Sequence, residues 1–344
     1  MAMSEAETWR EITEKAIAAQ ASDIHLSVGA PAFLRVNGVL QRVSESLVSQ
    51  IFLEKLLAGM FSEKQAKQFQ KDKEIDLAWS YGKQRFRVNV FQQISGLAMS
   101  LRLIPNSIPT LEELGMPAVL RELLSLPHGL ILVTGRTGSG KTTTLAAFLF
   151  EVVRRFAKHI ITLEDPIEYV HTFDAGLISQ RELGTHFDSF AMALRNSLRD
   201  DPDIILVGEL RDADTIATAL NAAETGHLVL ASLHTPSAVD TVLRLESFFS
   251  AEQQAQIRTQ LAIVLRAVIT QQLLPGAAGG RVCAAEVLTA SPAVRNLIRQ
   301  GKVQQLPSVI MAGTTLGMQT MRYSIAQLQA AGKITPEVAV GYLE

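Results

Sequence analysis

The chain has 344 residues, of which 47% are apolar and 19% charged; that balance excludes a disordered polymer and leads one to expect two domains. Its 32 Lys and Arg against 34 Asp and Glu give a net charge of −2, without the global basic excess of a dedicated duplex-DNA binder. The one cysteine, Cys283, excludes an intramolecular disulfide and a four-cysteine zinc site; it reads as a small buried hydrophobe on a strand, in keeping with a reducing compartment.

Residues 1–20 carry Glu5, Glu7, Glu11 and Glu14 on an amphipathic pattern, which is not that of a secretory signal. Within them Trp9, Ile12, Ala16 and Ile17 form a helical stripe. The runs DIHLSV (23–28) and FLRV (33–36) read as strands, and Asn37-Gly38 before VLQRV predicts a two-residue hairpin turn. Helical spacing returns over 51–61, and three strand-like runs follow at 74–81, 85–91 and 97–104, separated by Gly82 and Gly96. A connector with three prolines, residues 105–117, places a domain boundary near 109. Beyond it short apolar strands (129–134, 159–164, 203–209, 227–234 and 281–288) alternate with helices such as 142–156 and 213–224. Near-continuous apolar strands with helical crossovers predict a largely parallel sheet covered on both faces. The tail reads as helical, with Ser291 capping a helix that has Pro292 at its first position and Thr335-Pro336 repeating the device. No apolar run approaches the ~20 residues a membrane helix needs, so any membrane association is expected to be peripheral.

The chemistry concentrates in the second half. GRTGSGKT (135–142) is a P-loop pattern between a strand and a helix. Its Gly135, Arg136, Thr137, Gly138, Ser139 and Gly140 form a loop whose backbone N–H groups can cradle phosphate oxygens at a helix N-terminus, with Thr143 following. Lys141 is expected to reach the β- and γ-phosphates of ATP, and the Thr142 hydroxyl to ligate Mg²⁺. DIILVGE (203–209) delivers Glu209 to the carboxyl end of a buried strand, as a carboxylate for polarising water or holding Mg²⁺ through water, whereas Asp203 lies too far back. TLEDPIEY (162–169) puts Glu164 and Asp165 at another strand end, either for metal-water coordination or as plain turn chemistry. His227 and His234 bracket one strand with odd spacing, so a shared metal is not expected; one of them can sense the γ-phosphate, or a backbone partner can satisfy it. In RFRVNVF, Arg85, Arg87 and Asn89 share one face, and Arg102 lies opposite Leu101 and Leu103; this polar surface is either a phosphate-binding fork or a solvated sheet face.

These residues resemble the secretion ATPase superfamily and, within it, the type IV pilus retraction ATPases, over nearly the whole chain. SDIHLS (22–27) with RVNG (35–38) resembles the family's N-terminal PAS-like domain, GRTGSGKTTTLAA its Walker A segment, TLEDPIEY its Asp box, LRDDPDIILVGELRD (198–212) its Walker B segment and AETGHLVLASLHT (223–235) its His box. The resemblance implies an α/β chain with a RecA-like P-loop NTPase core (110–344), a smaller N-terminal α+β PAS-like domain (1–109) and a helical C-terminal tail from about 291. It implies Glu209 as catalytic carboxylate, Glu164 as a placer of metal and water, and His227 and His234 as site residues. Arg87 and Arg102 match paired arginines that reach ATP bound between the two domains. A homohexamer, a PilC-like inner-membrane platform protein, a PilU-like paralogue and a cytoplasmic position at the pilus base, peripheral to the inner membrane, are the partners and place it implies; nucleic acid is not expected. The related extension and type II secretion ATPases carry a tetracysteine zinc insert that one cysteine cannot supply. AVRNLIRQGK (293–302) resembles the retraction helix AIRNLIRE but departs at Val294 and Gln300, and Arg136 stands where the family usually has Pro or Ala. The alternatives are a DNA-transfer or other secretion ATPase on the same core, and an accessory subunit that binds nucleotide without hydrolysing it.

Overall fold

Two separately packed units divide the chain after Ser107 in the computed structural model, which describes residues 5–36, 38–104 and 107–343. Asn37 of the predicted turn and Pro105 and Asn106 of the predicted connector lie outside the described residues.

The first unit sets helices α1 (Glu5–Ala18), α2 (Gln50–Ala58) and α3 (Glu63–Asp72) with strands β1 (Asp23–Ser27), β2 (Pro31–Val36), β3 (Val39–Leu47), β4 (Glu74–Tyr81), β5 (Gln84–Gln93) and β6 (Gly96–Ile104). The strands form one antiparallel sheet in the order β3-β2-β1-β6-β5-β4. Alternation decides its faces: Phe86, Val88 and Val90 of β5 are fully buried, while Arg85, Arg87 and Asn89 between them are only partly so. On α1 the buried stripe is Trp9, Ile12, Thr13 and Ala16, and the predicted Ile17 is 47% exposed. Ile17 lies about 80° round the helix from Trp9, whereas Thr13 lies nearer the stripe's centre and donates its hydroxyl to the Trp9 carbonyl. Trp9 packs on Trp79 and Phe86 with ring centroids 5.6 and 5.9 Å away.

The second unit adds α4 (Val119–Leu123), β7 (Gly129–Thr134), α5 (Lys141–Arg155), β8 (His159–Glu164), β9 (Leu177–Glu182), α6 (Phe190–Ser197), β10 (Ile204–Val207), α7 (Ala213–Glu224), β11 (Leu228–Leu233), α8 (Ala238–Ser247), α9 (Ala251–Val264), β12 (Leu265–Pro275), β13 (Arg281–Thr289), α10 (Pro292–Arg299), α11 (Leu306–Ala312), α12 (Met321–Ala330) and α13 (Pro336–Leu343). The sheet runs β13-β12-β7-β11-β10-β8-β9 and is parallel from β12 to β9. β13 returns antiparallel against β12, because a short turn after Pro275 reverses the chain without the helical crossover a parallel neighbour requires. The α5 and α4 side of the sheet buries Ile131, Val133, Leu145 and Phe148. The opposite side buries Leu132, Leu163, Val207 and Ala231 under α6 to α11. Cys283 sits on β13, where burial pushes its thiol up to about 12, so it stays protonated and inert. None of the described helices is long and apolar enough to cross a membrane.

Candidate functional site

Every residue of β7 is buried, and the chain leaves it through Gly135 into a loop that closes on α5 at Lys141. Gly135 adopts φ 138°, and a Cβ there would stand 2.4 Å from the Gln271 carbonyl oxygen of β12 and 2.5 Å from Ser139 Oγ, so only glycine fits. Gly140 caps α5 in the left-handed conformation without a side-chain cap, which leaves first-turn N–H groups for an anion. The Ser139 hydroxyl, 5% exposed, has no hydrogen-bond partner among the described residues. Arg136, Thr137 and Gly138 are exposed along the loop's rim, as is Thr142 at the second position of α5. An orphaned buried hydroxyl, an uncapped helix start and a glycine-only approach fit the phosphates of a nucleotide.

Lys141 is buried, and its ammonium donates to the Gly135 and Arg136 carbonyls at 2.8 and 3.1 Å and to His234 Nδ1 at 3.2 Å. Burial lowers its pKa and the nearby Glu209 carboxylate opposes that. An ammonium can only donate, so Nδ1 of His234 carries the lone pair and its Nε2–H faces Glu209 Oε1 at 3.4 Å. Glu209, 23% exposed, also accepts from Arg211 Nε at 2.9 Å, and Arg211 reaches Asp165 at 3.3 Å. One chain of polar contacts thus runs Lys141–His234–Glu209–Arg211–Asp165 across the carboxyl ends of β7, β11, β10 and β8.

Glu164, buried at the end of β8, accepts on Oε1 from the Thr162 hydroxyl at 2.6 Å and from Gln180 Nε2 at 3.1 Å. The loop after it returns to the P-loop helix, where the Tyr169 hydroxyl meets Thr143 Oγ1 at 3.1 Å; burial raises the phenol's pKa. Thr142, Glu164 and Glu209 offer the oxygen donors that Mg²⁺ favours.

His227 is placed away from this cluster. It begins the opposite end of the strand, roughly 20 Å from His234 by strand rise, with its Nδ1 3.1 Å from the Ala222 carbonyl oxygen. The backbone partner accounts for it there, and the chain's own P-loop is out of its reach. Arg87 and Arg102 belong to the first unit, directly opposite each other on β5 and β6. Arg102 pairs with Asp23 at 3.0 Å and Arg87 with Asp76 at 3.9 Å. Asp203 holds Lys158 at 2.5 Å and the His159 amide at 2.9 Å, at the amino end of β10. Sequence reasoning did not single out Arg211, Tyr169, Gln180 or Gln271. Arg211 and Tyr169 lie inside the Walker B and Asp-box segments, whereas LISQRE (177–182) has no apolar alternation to mark β9 or Gln180.

Known proteins extend this picture. Residues 4–279 match the family described as type II/IV secretion system protein. The chain is 46% identical over 320 residues to the Pseudomonas aeruginosa type IV pilus retractation ATPase PilT, covering 93% of both chains. It is 45% identical over 308 residues to a Neisseria gonorrhoeae twitching motility protein, covering 89% of this chain and 82% of that one. The crystal structure of the pilus retraction motor PilT with bound ADP superimposes with a TM-score of 0.89 at 43% identity, covering 96% of this chain and 95% of the other. With the P-loop, the strand-end carboxylates and the parallel sheet in place, the chain belongs to the type II/IV secretion system protein family.

Proposed function

We propose that this chain is an ATP-hydrolysing motor that works as a homohexamer and powers retraction of type IV pili. The observation that carries the reading is the line Lys141–His234–Glu209 at the carboxyl ends of β7, β11 and β10, beside an uncapped helix N-terminus. Lys141 and the loop amides compensate phosphate charge as it develops in transfer. The Glu209 carboxylate orients and deprotonates the attacking water, and His234, bonded to both, registers whether the terminal phosphate is present. Glu164 helps to place metal and water. The Thr142 hydroxyl with Glu164 and Glu209 would hold Mg²⁺ beside ATP, and the ion would supply further charge neutralisation. The identity of 46% and 45% to the retraction and twitching relatives and the lone cysteine favour this reading over an extension or type II secretion ATPase. A PilC-like platform protein at the inner membrane is the partner that would receive the work.

Phosphate release by the purified chain with ATP and Mg²⁺ tests the enzyme, and light scattering with a non-hydrolysable ATP analogue tests the ring. Lys141→Ala is expected to abolish turnover with the fold intact, and deletion of the gene to give hyperpiliated cells without twitching. Wild-type protein without ATPase activity, or deletion mutants that lose their pili, would overturn the reading.

A further inference from the structure

β9 is an edge strand of the ATPase sheet, at the end opposite β13, and runs parallel to β8, with Gln180 opposite Thr162 and Glu182 opposite Glu164. Ile160, Thr162 and Glu164 therefore share a face with Ile178, Gln180 and Glu182. Ile160 and Ile178 lie in the core under α5, so this is the face that carries the P-loop helix.

Gln180 is the hub of the polar half of that face. Its Oε1 accepts the His171 amide N–H at 2.9 Å, and its Nε2 donates to the Tyr169 carbonyl at 2.8 Å. Both partners are backbone groups with fixed roles, so the amide has one orientation only. Its second N–H is then aimed at Glu164 Oε1, 3.1 Å away. Thr162 meets the same oxygen from within β8. The loop from Asp165 to His171 is further pinned to β9 where Glu182 accepts the Ile167 amide at 3.0 Å. Tyr169, whose carbonyl Gln180 holds, touches Thr143, the neighbour of the Thr142 that would hold Mg²⁺.

We infer that Gln180 is a positioning residue for ATP hydrolysis, one that fixes the Glu164 carboxylate and the 165–171 loop together against the P-loop helix. The inference rests on the ATPase reading above. It assigns to the edge strand, outside the recognised motifs, the group that sets where Glu164 points.

Two isosteric changes separate this role from a merely structural one. Gln180→Glu keeps size and the acceptor for His171, but sets an anion against Glu164 and the Tyr169 carbonyl. Gln180→Met loses every hydrogen bond while adding no charge. If Gln180 only braced the loop, its loss would not depend on which group stands at 164. As a positioning residue, it makes glutamate the more damaging one, with kcat lowered about 10–100-fold and KM for ATP nearly unchanged. The pair must also couple. Added to Glu164→Gln, Gln180→Glu should reduce the remaining turnover no more than about twofold, because an amide at 164 can donate to a carboxylate at 180. Steady-state kinetics on the four proteins of that cycle, with thermal melts as a fold check, give the answer. Additive losses, or methionine worse than glutamate, would overturn the inference while leaving the ATPase intact. Should Gln180→Glu not fold, unchanged kcat in Gln180→Met would overturn it equally. A wild-type chain that releases no phosphate would instead defeat the proposed function.

Discussion

Gly135→Ala is the sharpest test of how the P-loop is seated. The added methyl would meet the Gln271 carbonyl oxygen at 2.4 Å and Ser139 Oγ at 2.5 Å, at a residue with φ 138°. Ser139 can turn its hydroxyl aside. Gln271 cannot yield so easily, because β12 is paired with β7 on one side and β13 on the other. Holding alanine at such a φ costs about 1–3 kcal/mol, and the overlap with backbone adds roughly 1–3 kcal/mol. Gly138→Ala is the matched control: its φ is 79° and nothing lies within 4 Å of the new Cβ, so only the first penalty applies. The difference between the variants, about 1–3 kcal/mol, corresponds to melting points some 2–12 °C apart for a unit of this size. Thermal unfolding of the ligand-free proteins measures it. Gly135→Ala should also weaken ATP binding, because the Gly135 carbonyl holds the Lys141 ammonium at 2.8 Å. Melting points within about 2 °C of each other would refute the steric argument and, with it, the role given to β12.

Glu209→Gln should still bind ATP but hydrolyse it about 10²–10⁴-fold more slowly; nucleotide binding and phosphate release measured on one sample check this, and lost binding would give Glu209 another role. Arg102→Ala and Arg87→Ala should each lower turnover at least about tenfold; Arg87→Ala should change stability by less than about 1 kcal/mol, since its ion pair with Asp76 is solvent-exposed, whereas Arg102→Ala also takes the cation away from the buried Asp23; normal turnover in both would return them to a solvated sheet face. His171 is buried with an unpartnered Nδ1 among the described residues, and desolvation holds its imidazole at about 4 against 6.5 when exposed. The unfolded chain therefore binds the extra proton first, so this contribution is complete above pH 6.5 and is lost as pH falls towards 4, by up to about 3 kcal/mol. His171→Phe should flatten the fall in melting temperature over that window, and an unchanged pH dependence would count against it.

What could be read in the sequence follows from where the pattern is strong. β7, β8, β10 and β11 are four- to six-residue apolar runs buried on both faces, and the P-loop announces itself by glycine spacing. β12 escaped because Gln271 and Gln272 interrupt its apolar run. Burial of Gln271 makes sense only once Thr144 is seen to accept its Nε2–H at 2.7 Å, across 127 residues of chain. β9 escaped because its two buried positions are Ile178 and Glu182, so no apolar run marks the strand or Gln180 within it. The pairing of Lys141 with His234 and Glu209 is likewise long-range, so spacing alone left His234 undecided between phosphate sensing and a backbone partner.

The seating of β13 has a consequence for the tail. Ala285 of that strand donates its amide to Ser324 Oγ at 3.0 Å and accepts from Gln319 Nε2 at 2.7 Å, while Glu286 accepts the Ala238 amide that opens α8, four residues past His234. Gln319 continues the sheet by bridging Val287 in both directions. Residues after 291 are therefore less an appendage than the outer bearing of the nucleotide sheet: only β13 and β12 separate them from the strand that carries the P-loop. A load applied to these last helices would be transmitted along hydrogen-bonded backbone rather than absorbed by a loose tether. Less than a sixth of the chain, this tail is thus tied by paired backbone to the sheet that carries the P-loop.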